Sequence, residues 1–220
     1  MKTNTHILVA AVLALTLVGA KDANALVTTY TSSGTFAANV APGSYTEGFQ
    51  SLSIVSSTPG PLNYASAGFS YTATTTTTKF FGAGPSGNHW LSTNTAADTI
   101  TITFTSGNVT AIGGYFFGSN ASGGLDAHAT DVTLNDGTVV NLGALTNTTS
   151  FAGFTSDVPI TSLSVVMPNN TGTPRYFWPT VNDLTVGISS APVPEPTGWL
   201  GVLAVLAFFF GGRWVHARRA

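Results

Sequence analysis

The stretch VTLNDGTVV at residues 132–140 decides the fold class, because it places Asp136 and Gly137 between two runs in which apolar and polar residues alternate. An Asp-Gly pair in this setting favours a two-residue turn with positive φ, and such a turn joins two antiparallel strands. Strand-like runs bounded by turn residues recur at 51–56, 69–73, 98–104, 108–117, 160–167 and 181–187. The sequence therefore predicts an all-β protein.

Residues 26–190 form the predicted body of the protein, with about eight to eleven short strands. No segment keeps the apolar spacing of a helix over about ten residues, so helices are expected to be absent or single turns. We predict an antiparallel two-sheet sandwich that is jelly-roll-like. A β-solenoid is the competing fold, but the sequence shows no fixed-period repeat. The Gly113-Gly114 pair inside the run 108–117 predicts a β-bulge.

The composition excludes several classes of protein. Lys, Arg, Asp and Glu make up only 7% of the 220 residues, and there is no cysteine. The low charge argues against coiled coils and nucleic-acid binders, so no nucleic-acid partner is expected. The missing thiols exclude disulfides, thiolate zinc sites and cysteine nucleophiles. Residues 26–190 hold two basic and seven acidic residues, so the body carries a net charge of −5.

The beginning of the chain is typical of a secretory signal. Lys2 precedes an uncharged apolar run at residues 7–18, which is too short to span a bilayer as a helix. Small residues suited to cleavage occur at 23–25 and at 18–20, and we favour cleavage after Ala25 because the mature chain then starts at a strand-like segment. Residues 1–25 are thus predicted to be a signal peptide read by the Sec export machinery. An uncleaved anchor or a buried first helix is the alternative.

The other end of the chain is predicted to contain a spacer and an apolar helix. Residues 191–196 (APVPEP) hold three prolines, which predict a stiff, extended spacer. Residues 197–215 are long enough to cross a membrane as a helix if Arg213 snorkels to the headgroups. Residues 216–220 form a basic end, which the positive-inside rule places in the cytoplasm with the body outside. A buried C-terminal helix of a soluble domain is the alternative.

This C-terminal region resembles the PEP-CTERM sorting tag of exported bacterial proteins. The resemblance rests on the order of a PEP motif, an apolar helix and a basic end, with the residues Val193, Pro194, Glu195, Pro196, Arg213, Arg218 and Arg219. It implies recognition by an exosortase in bacteria that have an outer membrane and make exopolysaccharide. It also implies that the protein, transiently anchored in the inner membrane, loses its tail and reaches the cell surface or extracellular matrix. Residues 214–217 interrupt the arginines, which such tags usually run together.

Residues 98–187 resemble the bodies of many such tagged proteins and are similar to carbohydrate-binding jelly rolls. The resemblance implies that certain residues fill the sandwich, namely Phe151, Phe154, Ile160 and Leu163. Tyr176 and Trp178 would share one face of a strand, where aromatic rings can stack on the apolar faces of sugars. We therefore treat these two residues as candidate carbohydrate-binding residues, with burial in the core as the alternative.

Few residues suggest a metal site or a catalytic site. Asp126 and His128 are two positions apart in a strand-like segment, where a carboxylate could orient an imidazole or both could approach a metal. Neither a third ligand nor a nucleophile is visible nearby, so we interpret them as ordinary surface residues beside a hairpin. His89 is interpreted as an ordinary loop histidine. No organic cofactor is expected. Calcium is the candidate ion because the body offers oxygen ligands, either at Asp183 with Asn182 or at Asp157, with an ordinary turn-forming aspartate as the alternative.

The sequence analysis favours a non-enzymatic surface or biofilm-matrix protein with a structural or adhesive role. The alternatives are an extracellular carbohydrate-binding module, possibly calcium-dependent, and a polysaccharide hydrolase. Glu47 is the only glutamate among residues 26–190, so a glycosidase would have to rely mostly on aspartates. Exopolysaccharide is accordingly the expected ligand if the body binds one.

Overall fold

The computed structural model describes residues 25–143, 146–168 and 177–190. These residues form fifteen strands, more than predicted, and one short helix. In chain order the elements are β1 (Val27–Tyr30), α1 (Ser33–Ala37), β2 (Tyr45–Glu47), β3 (Ser57–Pro59), β4 (Leu62–Ser66), β5 (Phe69–Thr75), β6 (Lys79–Ala83), β7 (Trp90–Thr93), β8 (Ile100–Phe104), β9 (Ala111–Ser119), β10 (Leu125–Asp126), β11 (Asp131–Leu134), β12 (Val139–Asn141), β13 (Phe151–Ser156), β14 (Ser162–Val166) and β15 (Trp178–Gly187).

The strands form two sheets in which neighbouring strands pair antiparallel. The larger sheet has the order β1-β13-β9-β15-β7-β6-β3, and in addition β2 pairs with β15 and β10 with β9. The smaller sheet has the order β12-β11-β14-β8-β5-β4. The successive strands β13, β14 and β15 therefore lie in alternate sheets. This topology confirms the two-sheet antiparallel architecture and excludes a β-solenoid.

The core lies between the two sheets. Strand β8 alternates as predicted, so that Ile100 and Ile102 are fully buried while the intervening threonine is not. One buried cluster joins these side chains of the smaller sheet to side chains of the larger sheet, including Phe154. Ile160 and Leu163 also belong to this cluster, so three of the four predicted core residues are confirmed. Burial of each such side chain stabilises the fold by about 1.5–3 kcal/mol.

Phe151 is a correction to the predicted core. It lies three positions before Phe154 in β13, and residues three apart in a strand point to opposite faces. Phe151 therefore faces away from the smaller sheet, on what we call the outer face of the larger sheet. There it packs against Phe36 of α1 with ring centroids 5.5 Å apart. Helix α1 thus gives this part of the outer face a small second core.

The predicted strand at 51–56 is wrong. Its apolar–polar alternation is present, but only Leu52 enters the core, whereas Val55 is 87% exposed. The Ser53 hydroxyl accepts hydrogen bonds from the amides of Val55 and Ser56 at 3.3 and 3.2 Å, which closes a turn. The Ser53 carbonyl accepts the amide of Gly82, so the segment docks as a loop on β6.

The hairpin at 132–140 is confirmed, but its turn differs from the prediction. Strand β11 pairs with β12 through Val132 and Val140. The Gly137 amide donates to the Leu134 carbonyl at 3.1 Å, and Gly137 alone in the turn has positive φ, at 89°. The loop therefore has three residues, with glycine in the left-handed position, instead of two.

The bulge predicted near Gly114 is present, but the extra residue is on the partner strand. Between the pairs Asn182–Tyr115 and Thr185–Gly113, two residues of β15 oppose the single residue Gly114 of β9. The first of these two, Asp183, has a φ of 48°, which is unusual for a residue with a side chain. The bulge therefore places a carboxylate in a strained position within a central strand.

The described residues include no helix long and apolar enough to cross a membrane. The predicted signal peptide at 1–25 is outside the described residues except for Ala25. The predicted spacer at 191–196, membrane helix at 197–215 and basic end at 216–220 lie wholly outside them.

Candidate functional site

A small pocket lies on the outer face of the larger sheet, where β15 begins. Leu91 and Val181 belong to the core, so Ser92 and Thr180, one position along in their strands, point to the outer face. The pocket has a volume of about 130 Å3 and is lined by Phe81, Ala83, Ser92, Thr93, Asn94, Ser119, Asn120, Ala121, Gly123 and Trp178. We call it the Trp178 pocket.

Two aromatic side chains line the Trp178 pocket. Trp178 is half-buried and begins β15, and Phe81 is half-buried on β6. Strand β7 runs between them, and its Ser92 pairs directly with Phe81. Partly covered rings keep an apolar surface available to a ligand, and Trp178 also carries an indole N–H donor.

Buried hydroxyl groups meet beside these rings. The Thr180 hydroxyl lies 2.8 Å from the Ser119 hydroxyl and 3.2 Å from the Ser92 hydroxyl, and the two serine hydroxyls are 3.2 Å apart. All three residues are at most 2% exposed. Each hydroxyl has one hydrogen and two lone pairs, so the cluster has more acceptors than donors. Ser92 also donates to the Pro179 carbonyl at 3.1 Å, and the Thr180 hydroxyl lies 3.2 Å from the Trp178 carbonyl. The three hydroxyls are therefore held by one another and by the backbone, and Ser92 and Ser119 form a polar part of the pocket wall.

A tight loop forms one wall of the Trp178 pocket. The Asn120 side-chain oxygen accepts hydrogen bonds from the amides of Ser122 and Gly124 at 2.9 and 3.1 Å. This arrangement is an Asx turn, which asparagine stabilises locally. The Gly123 carbonyl then accepts the amide of Gly84 at 2.8 Å, which fastens the loop to the end of β6. The wall is therefore held in place before any ligand binds.

Asp126 and His128 lie side by side, partly exposed, next to the beginning of β15. His128 Nε2 lies 3.2 Å from Asp126 Oδ1, and the imidazole stacks on the ring of Phe177 with centroids 3.6 Å apart. Phe177 directly precedes Trp178, and Asp126 pairs through β10 with Gly118 of β9. The pair thus contacts the residue before Trp178, although neither Asp126 nor His128 lines the Trp178 pocket.

The lining of the Trp178 pocket contains no charged side chain. Its polar groups are hydroxyls, carboxamides and backbone atoms, which donate and accept hydrogen bonds without attracting ions. Asn94 is exposed and Asn120 half-buried, so both carboxamides are within reach of solvent. The arrangement suits an uncharged ligand that has both apolar surface and many hydroxyl groups.

The calcium candidates lie in two separate places. Asp157 follows β13, and its Oδ1 accepts the amide of Leu26 at 2.8 Å. Asn182 and Asp183 lie in β15, and β9 separates that strand from β13. Asn182 donates to Asp183 at 3.2 Å, and burial raises the pKa of the Asp183 carboxyl above its ordinary value. Within the described ranges no three His, Asp or Glu side chains gather as a metal site.

The remaining sequence candidates have different outcomes. Trp178 lines the pocket, whereas Tyr176 lies outside the described residues, so the proposed pairing of these two rings on one face stays a prediction. His89 is a half-buried loop residue whose amide donates to the Gln50 side chain at 3.3 Å. The sequence analysis missed Ser92, Ser119 and Thr180, since single hydroxyl residues in strands are common and only the strand register brings these three together.

Comparisons with known proteins show no family. No family model matches the chain, and no curated protein matches it. One similar solved structure is the CBM51 module from Clostridium perfringens GH95 in complex with methyl-galactose. It is 10% identical, with a TM-score of 0.35, and the alignment covers 64% of this chain and 99% of that one.

Proposed function

We propose that this protein is an exported surface or matrix protein whose body binds neutral carbohydrate in the Trp178 pocket. The observation that carries this proposal is an uncharged pocket in which two aromatic rings, Trp178 and Phe81, stand beside a cluster of buried hydroxyl groups. A binding role of this kind gives a specific basis to the adhesive role that the sequence analysis favours.

The chemistry of a sugar matches this pocket group by group. A pyranose ring has an apolar face of C–H groups that packs on an aromatic ring, and its edge carries hydroxyl groups that donate and accept hydrogen bonds. Pockets for drug-sized ligands are about 300–1,000 Å3, so a pocket of about 130 Å3 would take at most one sugar unit of a polysaccharide. A uronic acid or sulfated unit would find no cation in the lining.

Binding is favoured over hydrolysis because the lining lacks the necessary acids. Most glycosidases use two carboxyl groups about 5–9.5 Å apart, one on each side of the bond they cleave. The Trp178 pocket has no Asp or Glu in its lining, and Asp126 is committed to His128. We therefore expect the protein to hold polysaccharide without cleaving it, and detectable turnover of a bound polysaccharide would contradict this.

Affinity electrophoresis of the full chain in detergent, in gels with and without neutral polysaccharide, tests the binding. Trp178→Ala is expected to weaken retention at least tenfold, because it removes the largest apolar surface of the pocket. Tyr30→Ala is the matched control, since it removes a half-buried aromatic ring from β1 at the edge of the same sheet. Equal retention of wild type and Trp178→Ala would refute the site.

Delivery to the surface is proposed from the two ends of the chain. The signal peptide would route the chain to the Sec machinery, and the PEP motif at 193–196 with its helix and arginines would bring it to the membrane and an exosortase. The rigid spacer suits cleavage because a protease needs an extended, accessible segment. If a tagged protein keeps its tail in the membrane while known exosortase clients are released, the sorting proposal fails.

A further inference from the structure

The beginning of β1 is joined to the end of its partner strand by a hydrogen bond to a carboxylate. The Leu26 nitrogen donates to Asp157 Oδ1 at 2.8 Å. Strand β1 pairs with β13 from Val27 opposite Ser156 onward, so this contact continues the ladder by one step. The compact body begins at Ala25, directly before this contact.

Asp157 has no cationic side chain to neutralise it in the described part of the chain. Lys79 on β6 is the only Lys or Arg among the described residues, and the one ion pair found there is between His128 and Asp126. Strands β1, β9 and β13 and helix α1 carry no charged side chain. The carboxylate therefore faces a neutral amide where a positive charge would bind more strongly.

Cleavage of the signal peptide would create such a charge on the same nitrogen. Hydrolysis of the Ala25–Leu26 peptide bond by signal peptidase adds water, leaving a carboxylate on Ala25 and an amine on Leu26. The amine takes up a proton at neutral pH and becomes an ammonium group. We propose that Asp157 receives the α-ammonium group of Leu26 in the exported protein and that this ion pair fastens β1 to β13 in the processed chain.

This inference depends on the export step of the proposed function, but not on carbohydrate binding. Two independent observations concern the same peptide bond. Small residues at 23 and 25 suit cleavage after Ala25, and the structure places a carboxylate, with no cationic partner among the described residues, beside the nitrogen that the cut would free. Cleavage after Ala20, the other candidate, would leave a neutral amide at Leu26. The ion pair therefore distinguishes the two cleavage sites.

The experiment uses the protein purified from the cell surface or medium of an exporting bacterium. Its intact mass and terminal sequence are expected to place the N-terminus at Leu26. Trace acylation of the α-amine is then measured against pH in wild type and in Asp157→Asn, which keeps a neutral acceptor of the same shape. Because an adjacent carboxylate raises the pKa of an ammonium group, acylation at pH 7 should be about three- to tenfold slower in wild type. Asp136→Asn, in the β11–β12 turn, is the control and should match wild type.

Two results would overturn the inference. An N-terminus other than Leu26 would remove the ammonium group from Asp157, and equal acylation of wild type and Asp157→Asn would show that the two groups do not interact. Cell fractionation of the same culture reports export separately, so a failure of export is distinguishable from a failure of the ion pair. Retention on polysaccharide, which depends on Trp178, is expected to be the same in wild type and Asp157→Asn.

Discussion

Two Gly→Ala substitutions on the outer face of the larger sheet should have opposite effects on stability. A Cβ atom at Gly153 of β13 would lie 2.7 Å from Cδ2 of Phe36 and 2.8 Å from Cε1 of Phe151. A Cβ atom at Gly34 of α1 would meet nothing closer than the Ser32 hydroxyl at 3.9 Å. Phe36 is only 3% exposed, so its ring cannot move away without losing its packing.

These distances determine how much each substitution should change the free energy of unfolding. Overpacking a well-filled site costs about 1–3 kcal/mol, and replacing glycine by alanine in a strand returns about 0.5–1 kcal/mol of conformational entropy. Two ring atoms would lie closer than 3.0 Å, so we expect an overpacking cost in the upper part of this range, about 2–3 kcal/mol. Gly153→Ala should therefore lower the free energy of unfolding by about 1–2.5 kcal/mol. At about 2–4 °C per kcal/mol for a body of this size, Tm should fall by about 2–10 °C. Gly34→Ala, in an exposed helical position, should leave stability unchanged or raise it by up to about 1 kcal/mol.

Urea denaturation of the full chain, followed by tryptophan fluorescence, measures both effects. The background Phe36→Ala gives the decisive comparison, because Gly153→Ala should cost much less once the ring has been removed. The reasoning is refuted if Gly153→Ala is as stable as wild type, or if its cost is the same with and without Phe36. Either result would mean that α1 does not pack on β13.

Three further predictions concern polar groups. Burial raises the pKa of the Asp183 carboxyl, so its ionised form destabilises the fold at neutral pH. This destabilisation disappears as the pH falls through the raised pKa and the carboxyl takes up a proton. Asp183→Asn should therefore raise the urea midpoint more at pH 7 than at pH 4. Burial also raises the pKa of Tyr71, whose hydroxyl has no partner among the described residues. Tyr71→Phe should therefore increase the free energy of unfolding at pH 7 by up to about 1 kcal/mol. Above about pH 10, where the tyrosine of the unfolded chain ionises, this variant should lose less stability than wild type. Asp136 accepts the Thr138 amide and hydroxyl, both at 2.9 Å, so Asp136→Ala should cost about 0.5–1.5 kcal/mol in the same assay, whereas Asp136→Asn should cost less.

The alternation of apolar and polar residues correctly predicts a strand when one of its faces is buried and the other is more exposed. Strand β8 is such a case, because one face meets the core and the other does not. Strand β13 is buried on both faces, so its sequence cannot show which phenylalanine faces the core. The prediction places Phe151 between the two sheets, whereas it lies on the outer face of the larger sheet. The segment 51–56 alternates like a strand, yet the hydrogen bonds of Ser53 turn it into a loop.

The pocket could be predicted only in part. Trp178 stands out because aromatic residues cluster beside it in the sequence. Ser92, Ser119 and Thr180 come from three strands that are far apart in the chain, and they meet because Thr180 pairs with Ser92 while Trp178 pairs with Ser119. The register between strands distant in the chain is set by tertiary packing, so no local sequence pattern predicts it.

The position of β15 in the larger sheet affects the order in which the chain folds. It is central to the larger sheet, with β9 along one side and β7 and β2 along the other, and it is also the last strand of the described body. If the chain is exported from its N-terminus as proposed, β7 and β9 leave the membrane long before β15. The edges at which they pair with β15 then stay open until Gly187 has passed, so we expect folding to finish only after the whole of β15 has been exported.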